Sequence, residues 1–180
     1  MRLFAALDLP VDVRTTLAAW AAAAVGADER LRLVSADSLH VTLVFLGERP
    51  DPGPASGALA GALSPAPAAP ALSVAEPLWL APRRPHVLTV ALSDPSGGLA
   101  RIHAAVLDAM VRSAGHEAEH RRFRPHVTVA RIRGRVRPFE LPSPPSLAFV
   151  PPAVTLYRSV LGRGPARYEP VTSVALSTLP

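Results

Sequence analysis

The sequence predicts an α+β protein built from two similar lobes that are related by a pseudo-two-fold axis. A short segment, His-Val-Thr followed by an aliphatic residue, occurs twice, at 40–43 and 126–129. A predicted helix lies upstream of each copy, at 11–24 and 97–114. The other predicted elements are mainly strands, in a strand-helix-strands order that repeats with variations. The strands of each lobe would be mainly antiparallel. The axis would place the two histidine strands opposite each other across a cleft.

The elements of the first half follow from hydrophobic spacing. Residues 2–7 are largely apolar and predict a buried strand. Residues 11–24 carry apolar side chains at helical spacing, and Gly26 follows as the residue that ends this helix. A short strand at 31–34 comes next. The first histidine strand covers 39–46, and its last four residues are all apolar, as in a strand that is covered on both faces.

The second half repeats this order after a segment rich in Pro, Gly and Ala at 51–71. The helix at 97–114 has an apolar stripe at helical spacing, and Gly115 ends it. Residues 133–152 are basic and then rich in Pro, which predicts an irregular excursion. The remaining predicted elements are a helix at 54–63 and strands at 72–80, 86–92, 126–132, 154–161 and 171–179.

Length and composition exclude several classes of protein. A chain of 180 residues suits one domain, so we expect residues 1–180 to form a single bilobal domain. The absence of Cys excludes disulfides and thiol catalysis. No apolar stretch has the length of a membrane span, and no signal-peptide pattern is present, so we expect a cytoplasmic enzyme without membrane contacts. The net charge of +5, carried by Arg without Lys, permits a phosphate-bearing ligand but does not require one.

The two repeated segments contain the candidate catalytic residues. Alternate residues of a strand share a face, so His40 lies beside Thr42 and His126 beside Thr128, with aliphatic residues on the opposite face. An imidazole can give or take a proton near neutral pH, and a Thr hydroxyl can donate or accept a hydrogen bond. Two such strands could supply an acid and a base. A structural role remains the alternative for one histidine, but two matched copies favour catalysis.

A second motif in the sequence predicts a different function. His116, Glu117 and His120 match the His-Glu-x-x-His pattern of zinc peptidases, which requires both histidines on one face of a helix. Gly115 directly precedes the motif and is typical of a helix end. Phe123 stands where the extended pattern has a glycine, and the first His-Val-Thr copy is left unexplained. A zinc peptidase is therefore a distant alternative, and we expect no metal site.

The paired His-x-Thr-x motifs resemble those of the two-histidine (2H) phosphoesterase superfamily. Within it, the sequence is most similar to the RNA 2′,3′-cyclic phosphodiesterases, which are also called 2′-5′ RNA ligases. The likeness covers nearly the whole chain and is carried by residues 2–10, 39–47, 124–131, 156–159 and 168–170. One departure is visible at Leu33 and Val34, where relatives often have Trp, and it could alter the rim of the cleft.

The resemblance implies the 2H phosphoesterase fold and hydrolysis of RNA 2′,3′-cyclic phosphate ends to 2′-phosphates, without metal or cofactor. The reaction could also run in reverse as 2′-5′ ligation. By resemblance, His40 donates a proton to the leaving 3′-oxygen, His126 accepts one from water, and Thr42 and Thr128 hold the phosphate oxygens. The sequence alone does not assign the two histidine roles, because the repeat is nearly symmetric. The expected partner is an RNA end or a small cyclic nucleotide, bound by a monomer.

Arg131 is a further candidate for substrate binding, since the resemblance includes it. It lies five residues after His126 and therefore on the opposite face of a regular strand. A twist or a bulge would be needed for Arg131 to reach a phosphate, and a salt bridge at the edge of the lobe is the alternative. Tyr168 and Ser159 are weaker candidates.

Three other functions remain open from the sequence. A nucleotide cyclic phosphodiesterase would prefer small products to RNA. A non-catalytic module that binds RNA ends would retain binding without turnover, and the zinc peptidase would contain metal. The Arg-rich segments at 83–84, 121–124 and 131–137 could steer an RNA backbone, or they could be solvated loops.

Overall fold

The computed structural model of the protein describes residues 1–81, 83–117, 122–160 and 167–178. Within these ranges the chain forms nine strands and three α-helices. In chain order they are β1 (Arg2–Asp8), α1 (Val11–Val25), β2 (Leu31–Leu33), β3 (His40–Glu48), α2 (Gly53–Ala62), β4 (Leu72–Leu80), β5 (Val87–Ser93), α3 (Gly98–Ser113), β6 (His126–Ile132), β7 (Ala148–Phe149), β8 (Ala153–Val160) and β9 (Arg167–Ala175). No helix of the described residues is long and apolar enough to cross a membrane.

The strands form two antiparallel sheets, and each sheet contains one copy of the repeat. The first sheet has the order β3-β1-β8-β9, and the second has the order β2-β6-β5-β4-β7. The histidine strands β3 and β6 contact each other between the sheets. The prediction of an α+β fold with two antiparallel lobes is therefore confirmed.

The core lies between the sheets and beneath the helices. Helix α1 packs against β2 and β6, whereas α2 packs against β8, β9 and α3, and α3 also packs against β3. One cluster of buried apolar side chains includes Leu7 and Leu156 from the first sheet and Leu88 and Val129 from the second. Because both sheets contribute to this cluster, the positions of the two histidine strands are fixed by a shared core.

Two predicted elements differ from the structure. The segment 133–152 was expected to be irregular, but it includes β7, which pairs with β4. The last strand begins at Arg167, not at residue 171, and Pro170 pairs with Tyr157 inside it. Proline is tolerated there because β9 is an edge strand and can leave one ladder position without a donor. Residues 161 and 179, the predicted ends of two strands, lie outside the described residues.

The part of the zinc-peptidase motif that the structure describes, His116 and Glu117, is not helical. Helix α3 ends at Ser113, and the amide of His116 donates to the carbonyl of Met110 in a closing turn with an O···N distance of 3.2 Å. Gly115 has φ +60°, which suits a residue that turns the chain out of a helix. His116 and Glu117 therefore lie in a loop, and His120 lies outside the described residues.

Candidate active site

A cleft with a volume of about 440 Å³ opens beside the first histidine strand. Of the predicted site residues, His40, Thr42 and Arg131 line it, and so does Ser159. His126 and Thr128 are partly exposed on β6, but they do not line this cavity itself. The two histidines are nevertheless close enough for the charge of His126 to lower the pKa of His40. The structure thus brings Arg131, near the end of β6, to the same cleft as His40 and Thr42 of β3. His126 of β6 lies close enough to interact with His40.

The two imidazoles are held in the same way. His40 Nδ1 lies 2.8 Å from the carbonyl oxygen of Ser38, and His126 Nδ1 lies 2.7 Å from that of Arg124. In each repeat the carbonyl belongs to the residue two positions upstream. Because a carbonyl only accepts, Nδ1 must carry the proton in both rings. Nε2 is then the nitrogen of each ring that is left for proton transfer.

The hydroxyl of Thr42 lies next to the reactive nitrogen of His40. The distance between Thr42 Oγ1 and His40 Nε2 is 3.1 Å. In the neutral ring, with the proton on Nδ1, this Nε2 is an acceptor and the hydroxyl donates to it. A Thr and a His on one face of β3 thus share a hydrogen bond, as the alternation of the sequence predicts for neighbours on a strand.

Burial lowers the pKa of His40 to about 4. This value includes the hydrogen bond to the Ser38 carbonyl, which acts against burial, and Coulombic interactions with Arg131 and His126, which act in the same direction as burial. His40 is therefore neutral at pH 7 in the free protein. A proton donor must be protonated, so the acid role that the resemblance gives to His40 requires a bound anion that raises this pKa.

Aromatic side chains surround the His40 ring. The Phe4 ring centroid lies 4.9 Å from that of His40, and the Tyr168 ring stands nearly perpendicular to it at 5.3 Å. The Tyr168 hydroxyl also accepts a 3.4 Å hydrogen bond from Arg131 Nη2. Tyr168 thus contacts both a candidate catalytic residue and a candidate phosphate ligand. Phe4 was missed by the sequence analysis, because a Phe in an apolar strand carries no signal that it will face a histidine.

A half-buried carboxylate, that of Asp8, lies next to this aromatic group. Asp8 pairs with His40 across the β1–β3 ladder. The hydroxyls of Thr155 and Tyr157 donate to the two carboxylate oxygens of Asp8 at 2.7 and 2.8 Å. Burial raises the pKa of Asp8, and burial with the bond to Asp8 raises the pKa of Tyr157 to about 12. The bond holds the Tyr157 ring stacked against Phe4 at 5.5 Å, and Phe4 in turn contacts His40.

A bulge in the second histidine strand explains how Arg131 reaches the cleft. In the pairing of β5 with β6, Leu88 lies opposite Ala130 and Thr89 lies opposite Thr128, so Val129 is an extra residue. An extra residue inverts the alternation of side chains that follow it. Arg131 therefore returns to the face of His126 and Thr128, and the bulge that the sequence analysis required for Arg131 is present.

A similar bulge occurs at the equivalent position of β3. Ala5 pairs with Val44 and Ala6 with Thr42, so Leu43 is the extra residue. Phe45, five residues after His40, is thereby turned into the cleft in the way that Arg131 is turned in the other repeat. Two residues in equivalent positions of the repeat, one aromatic and one cationic, line one cavity.

The rim near Phe45 is apolar and carries one further cation. Phe45 is 46% exposed, and Leu33 is 41% exposed. The guanidinium carbon of Arg2 lies 5.8 Å from the Phe45 ring centroid. A flat apolar face next to a guanidinium is the type of surface on which nucleobases stack. The cleft therefore combines groups for a phosphate with a surface for a base.

The chain is similar to known proteins over nearly its whole length. Residues 10–137 match the family model described as the 2′-5′ RNA ligase superfamily. The chain is 33% identical to the RNA 2′,3′-cyclic phosphodiesterase of Escherichia coli (strain K12), over 98% of this chain and 97% of that protein. A crystal structure of E. coli LigT complexed with 3′-AMP superposes with a TM-score of 0.80 at 29% identity, covering 98% of both chains. A protein of Thermus thermophilus has the same fold, with a TM-score of 0.82 at 23% identity over 99% of both chains.

Proposed function

Since the chain belongs to the 2′-5′ RNA ligase superfamily, we propose that its cleft opens RNA 2′,3′-cyclic phosphate ends with His40 and His126 as the proton-transfer pair. The chain is an enzyme, an RNA 2′,3′-cyclic phosphodiesterase, as its similarity to the E. coli phosphodiesterase indicates. One observation supports the proposed residues above all. Both imidazoles are fixed through Nδ1 by the carbonyl two residues upstream, on strands that contact each other between the sheets.

The proposed reaction is an acid–base opening of the cyclic diester. Nε2 of His126 takes a proton from water, and the water oxygen forms a bond to phosphorus. The bond between phosphorus and the 3′-oxygen breaks, and Nε2 of His40 gives its proton to that oxygen. The products are a 2′-phosphate and a 3′-hydroxyl. Thr42 and Thr128 donate hydrogen bonds to the non-bridging oxygens, where charge increases in the transition state.

Arg131 is proposed to bind the same phosphate. Its exposed guanidinium lines the cleft together with His40 and is oriented by its hydrogen bond to the hydroxyl of Tyr168. A guanidinium can hold two phosphate oxygens at once. The alternative of a salt bridge at the lobe edge has no support among the described residues, in which no ion pair involves Arg131.

The bound diester would also prepare His40 for its role. The free ring is neutral at pH 7 because burial, together with the positive charge of Arg131, lowers its pKa. An anionic phosphate in the cleft counters the charge of Arg131 and favours the protonated ring of His40. We therefore assign the acid role of His40 to the enzyme–substrate complex, not to the free enzyme.

The test is hydrolysis of a short RNA with a 2′,3′-cyclic phosphate end, in the presence of EDTA. His40→Ala and His126→Ala should each lower kcat by about 10²- to 10⁴-fold, which is the usual contribution of a general acid or base. His86→Ala, which removes an exposed histidine outside the cleft, should retain wild-type activity. The proposal fails if the product of the wild type is a 3′-phosphate, or if either site variant remains fully active.

The remaining features of the function are proposals as well. Residues 1–180 are proposed to act as a single domain, because both sheets contribute to one core, and as a monomer. We also propose the cytoplasm as the compartment in which it meets RNA. Light scattering of the purified protein would test the monomer, and a dimer mass would contradict it.

A further inference from the structure

A second basic feature lies beyond the cleft and takes no part in the proposed reaction. It is a groove with a volume of about 740 Å³, which we call the arginine groove. All of its arginines are exposed, and they come from three segments: the turn before β2, the connection between β4 and β5, and the segment after β6. These residues are Arg30, Arg83, Arg84, Arg135 and Arg137.

Hydrogen bonds of the main chain hold the three segments together. The amide of Arg133 donates to the carbonyl of Arg30 at 2.7 Å, and the amide of Ile132 donates to the carbonyl of His86 at 2.9 Å. Arg30 Nη1 also donates to the carbonyl of Arg135 at 3.4 Å. The groove is thus built on a continuation of the second sheet, and its walls keep a fixed separation.

Most of the positive charge in the groove is not neutralised. Arg30 is paired with Asp28, with Nε–Oδ1 and Nη2–Oδ2 distances of 2.9 and 2.8 Å. In the part of the chain that the structure describes, no ion pair involves the other four arginines, Arg83, Arg84, Arg135 and Arg137. Four exposed guanidinium groups around one groove favour a ligand with several negative charges.

The arginine groove and the cleft are lined by neighbouring parts of the same two segments, which contain β2 and β6. Arg32 and Arg131 both line the cleft and are partners in the β2–β6 ladder. Arg30 precedes Arg32 by two residues, which is roughly 7 Å along an extended chain. Arg135 follows Arg131 by four residues and contacts Arg30. A strip of arginines therefore leads from the proposed phosphate site into the groove.

We propose that the arginine groove binds the phosphodiester backbone of the RNA strand that leads to the cyclic end. A polymer fits these observations because the positive charges follow one line and begin at the site of the terminal phosphate. Guanidinium groups bind phosphates through paired hydrogen bonds and do not need a particular base. This inference rests on the proposed function, and it makes an RNA chain, not a cyclic mononucleotide, the preferred substrate.

The test compares two substrates in two double variants, Arg83→Ser with Arg84→Ser and Arg135→Ser with Arg137→Ser. One substrate is a 12-nucleotide single-stranded RNA with a 2′,3′-cyclic phosphate end, and the other is a 2′,3′-cyclic mononucleotide. KM for the RNA should rise about tenfold in each double variant. The slope of log KM against the logarithm of the salt concentration should decrease by about 0.7 for each phosphate that the variant no longer neutralises. kcat and KM for the mononucleotide should not change, because the groove lies outside the cleft.

A matched control removes the same charge elsewhere. Arg101 and Arg112 are on α3, and no residue of the arginine groove belongs to that helix. Arg101→Ser with Arg112→Ser should leave KM for the RNA at its wild-type value. Equal KM values for RNA in the groove variants and the wild type would overturn the inference. A wild type that hydrolyses neither substrate would instead contradict the proposed function, so the two failures are distinct.

Discussion

At the scale of single residues, the two histidines are fixed alike but have different surroundings. The bond from Nδ1 to a carbonyl two residues upstream is local, so it recurs wherever the repeat recurs. The surroundings depend on distant parts of the chain. Phe4 and Tyr168 cover the His40 ring, and burial lowers its pKa. The tertiary fold therefore gives one copy of a symmetric sequence motif a histidine with a lowered pKa.

The first prediction concerns the titration of His40. In the free enzyme, NMR of the imidazole protons should give a pKa of about 4, and addition of 2′-AMP, a 2′-phosphate like the product, should raise it. The imidazole resonance that is lost in His40→Phe would be assigned to His40. A pKa of His40 that stays the same with and without 2′-AMP would contradict the proposed acid role.

The same lowered pKa has a consequence for stability. The unfolded chain has an ordinary histidine pKa of 6.5, so between pH 6.5 and about 4 it binds a proton that the folded chain does not bind. The contribution of His40 to the free energy of unfolding should therefore decrease as the pH falls through this window. His40→Phe, measured by urea denaturation at pH 7 and pH 4.5, should reduce that dependence on pH.

A further prediction concerns the hydroxyl of Thr42. Thr42→Val removes the donor to the phosphate and to His40 Nε2, and it should lower kcat by about 10²-fold. Thr42→Ser retains the hydroxyl and should stay within about tenfold of the wild type. Initial rates on the cyclic-phosphate RNA would measure both. Wild-type activity of Thr42→Val would contradict the role of the hydroxyl, whereas a loss in Thr42→Ser as large as that in Thr42→Val would show that the methyl group is needed as well.

The sequence was sufficient to predict which residues of the repeat are candidates, but it did not predict their environment. His40 and Thr42 follow from the period of a strand and from the recurrence of the motif. The role of the half-buried Asp8 was missed because its partners, Thr155 and Tyr157, come from β8 near the other end of the chain. A single sequence contains no signal for contacts of that length.

At the scale of elements, the bulges decide what faces the cleft. Regular alternation would turn the side chain of Arg131 away from the face of His126. A twist or a bulge in the strand is needed to turn it back. The register supplies the reversal at Val129 and, at the equivalent position of the first repeat, at Leu43. Since both repeats contain a bulge at the equivalent position, the residue five positions after each histidine belongs to the site. Alignment of the two repeats was the signal that could have identified Phe45.

A prediction follows for Phe45. Stacking of a base on an aromatic side chain contributes about 1–3 kcal/mol, so Phe45→Ala should raise KM for a 2′,3′-cyclic mononucleotide by about tenfold. Phe45→Trp keeps a flat face in the cleft and should preserve KM within about threefold. Steady-state kinetics on the same nucleotide would measure both variants. A KM that does not change in Phe45→Ala would show that the base lies elsewhere.

At the scale of the whole molecule, the site depends on how the two sheets are held together. Neither histidine strand is sufficient alone, because β3 belongs to the first sheet and β6 to the second. Their contact is fixed by a core to which both sheets contribute. The sequence predicted the pairing of lobes from its repeat. It did not predict the short β7 strand or the early start of β9, since two-residue strands and a proline-containing edge strand lack a hydrophobic period.

The shared core predicts that the two sheets unfold together. Leu156 in the first sheet and Leu88 in the second are both fully buried. Leu156→Ala and Leu88→Ala should each lower the free energy of unfolding by about 2–5 kcal/mol and move one common transition to lower temperature. Val171→Ala, at an exposed position of the edge strand β9, should change it by less than about 1 kcal/mol.

Calorimetry would measure all three variants. Two separate transitions, each sensitive to only one of the leucine substitutions, would show that the lobes are independent domains. A single transition would mean that loosening of either sheet also separates His40 from His126, because the contact between β3 and β6 depends on the core that both sheets share. Activity and folding should then be lost over the same range of temperature.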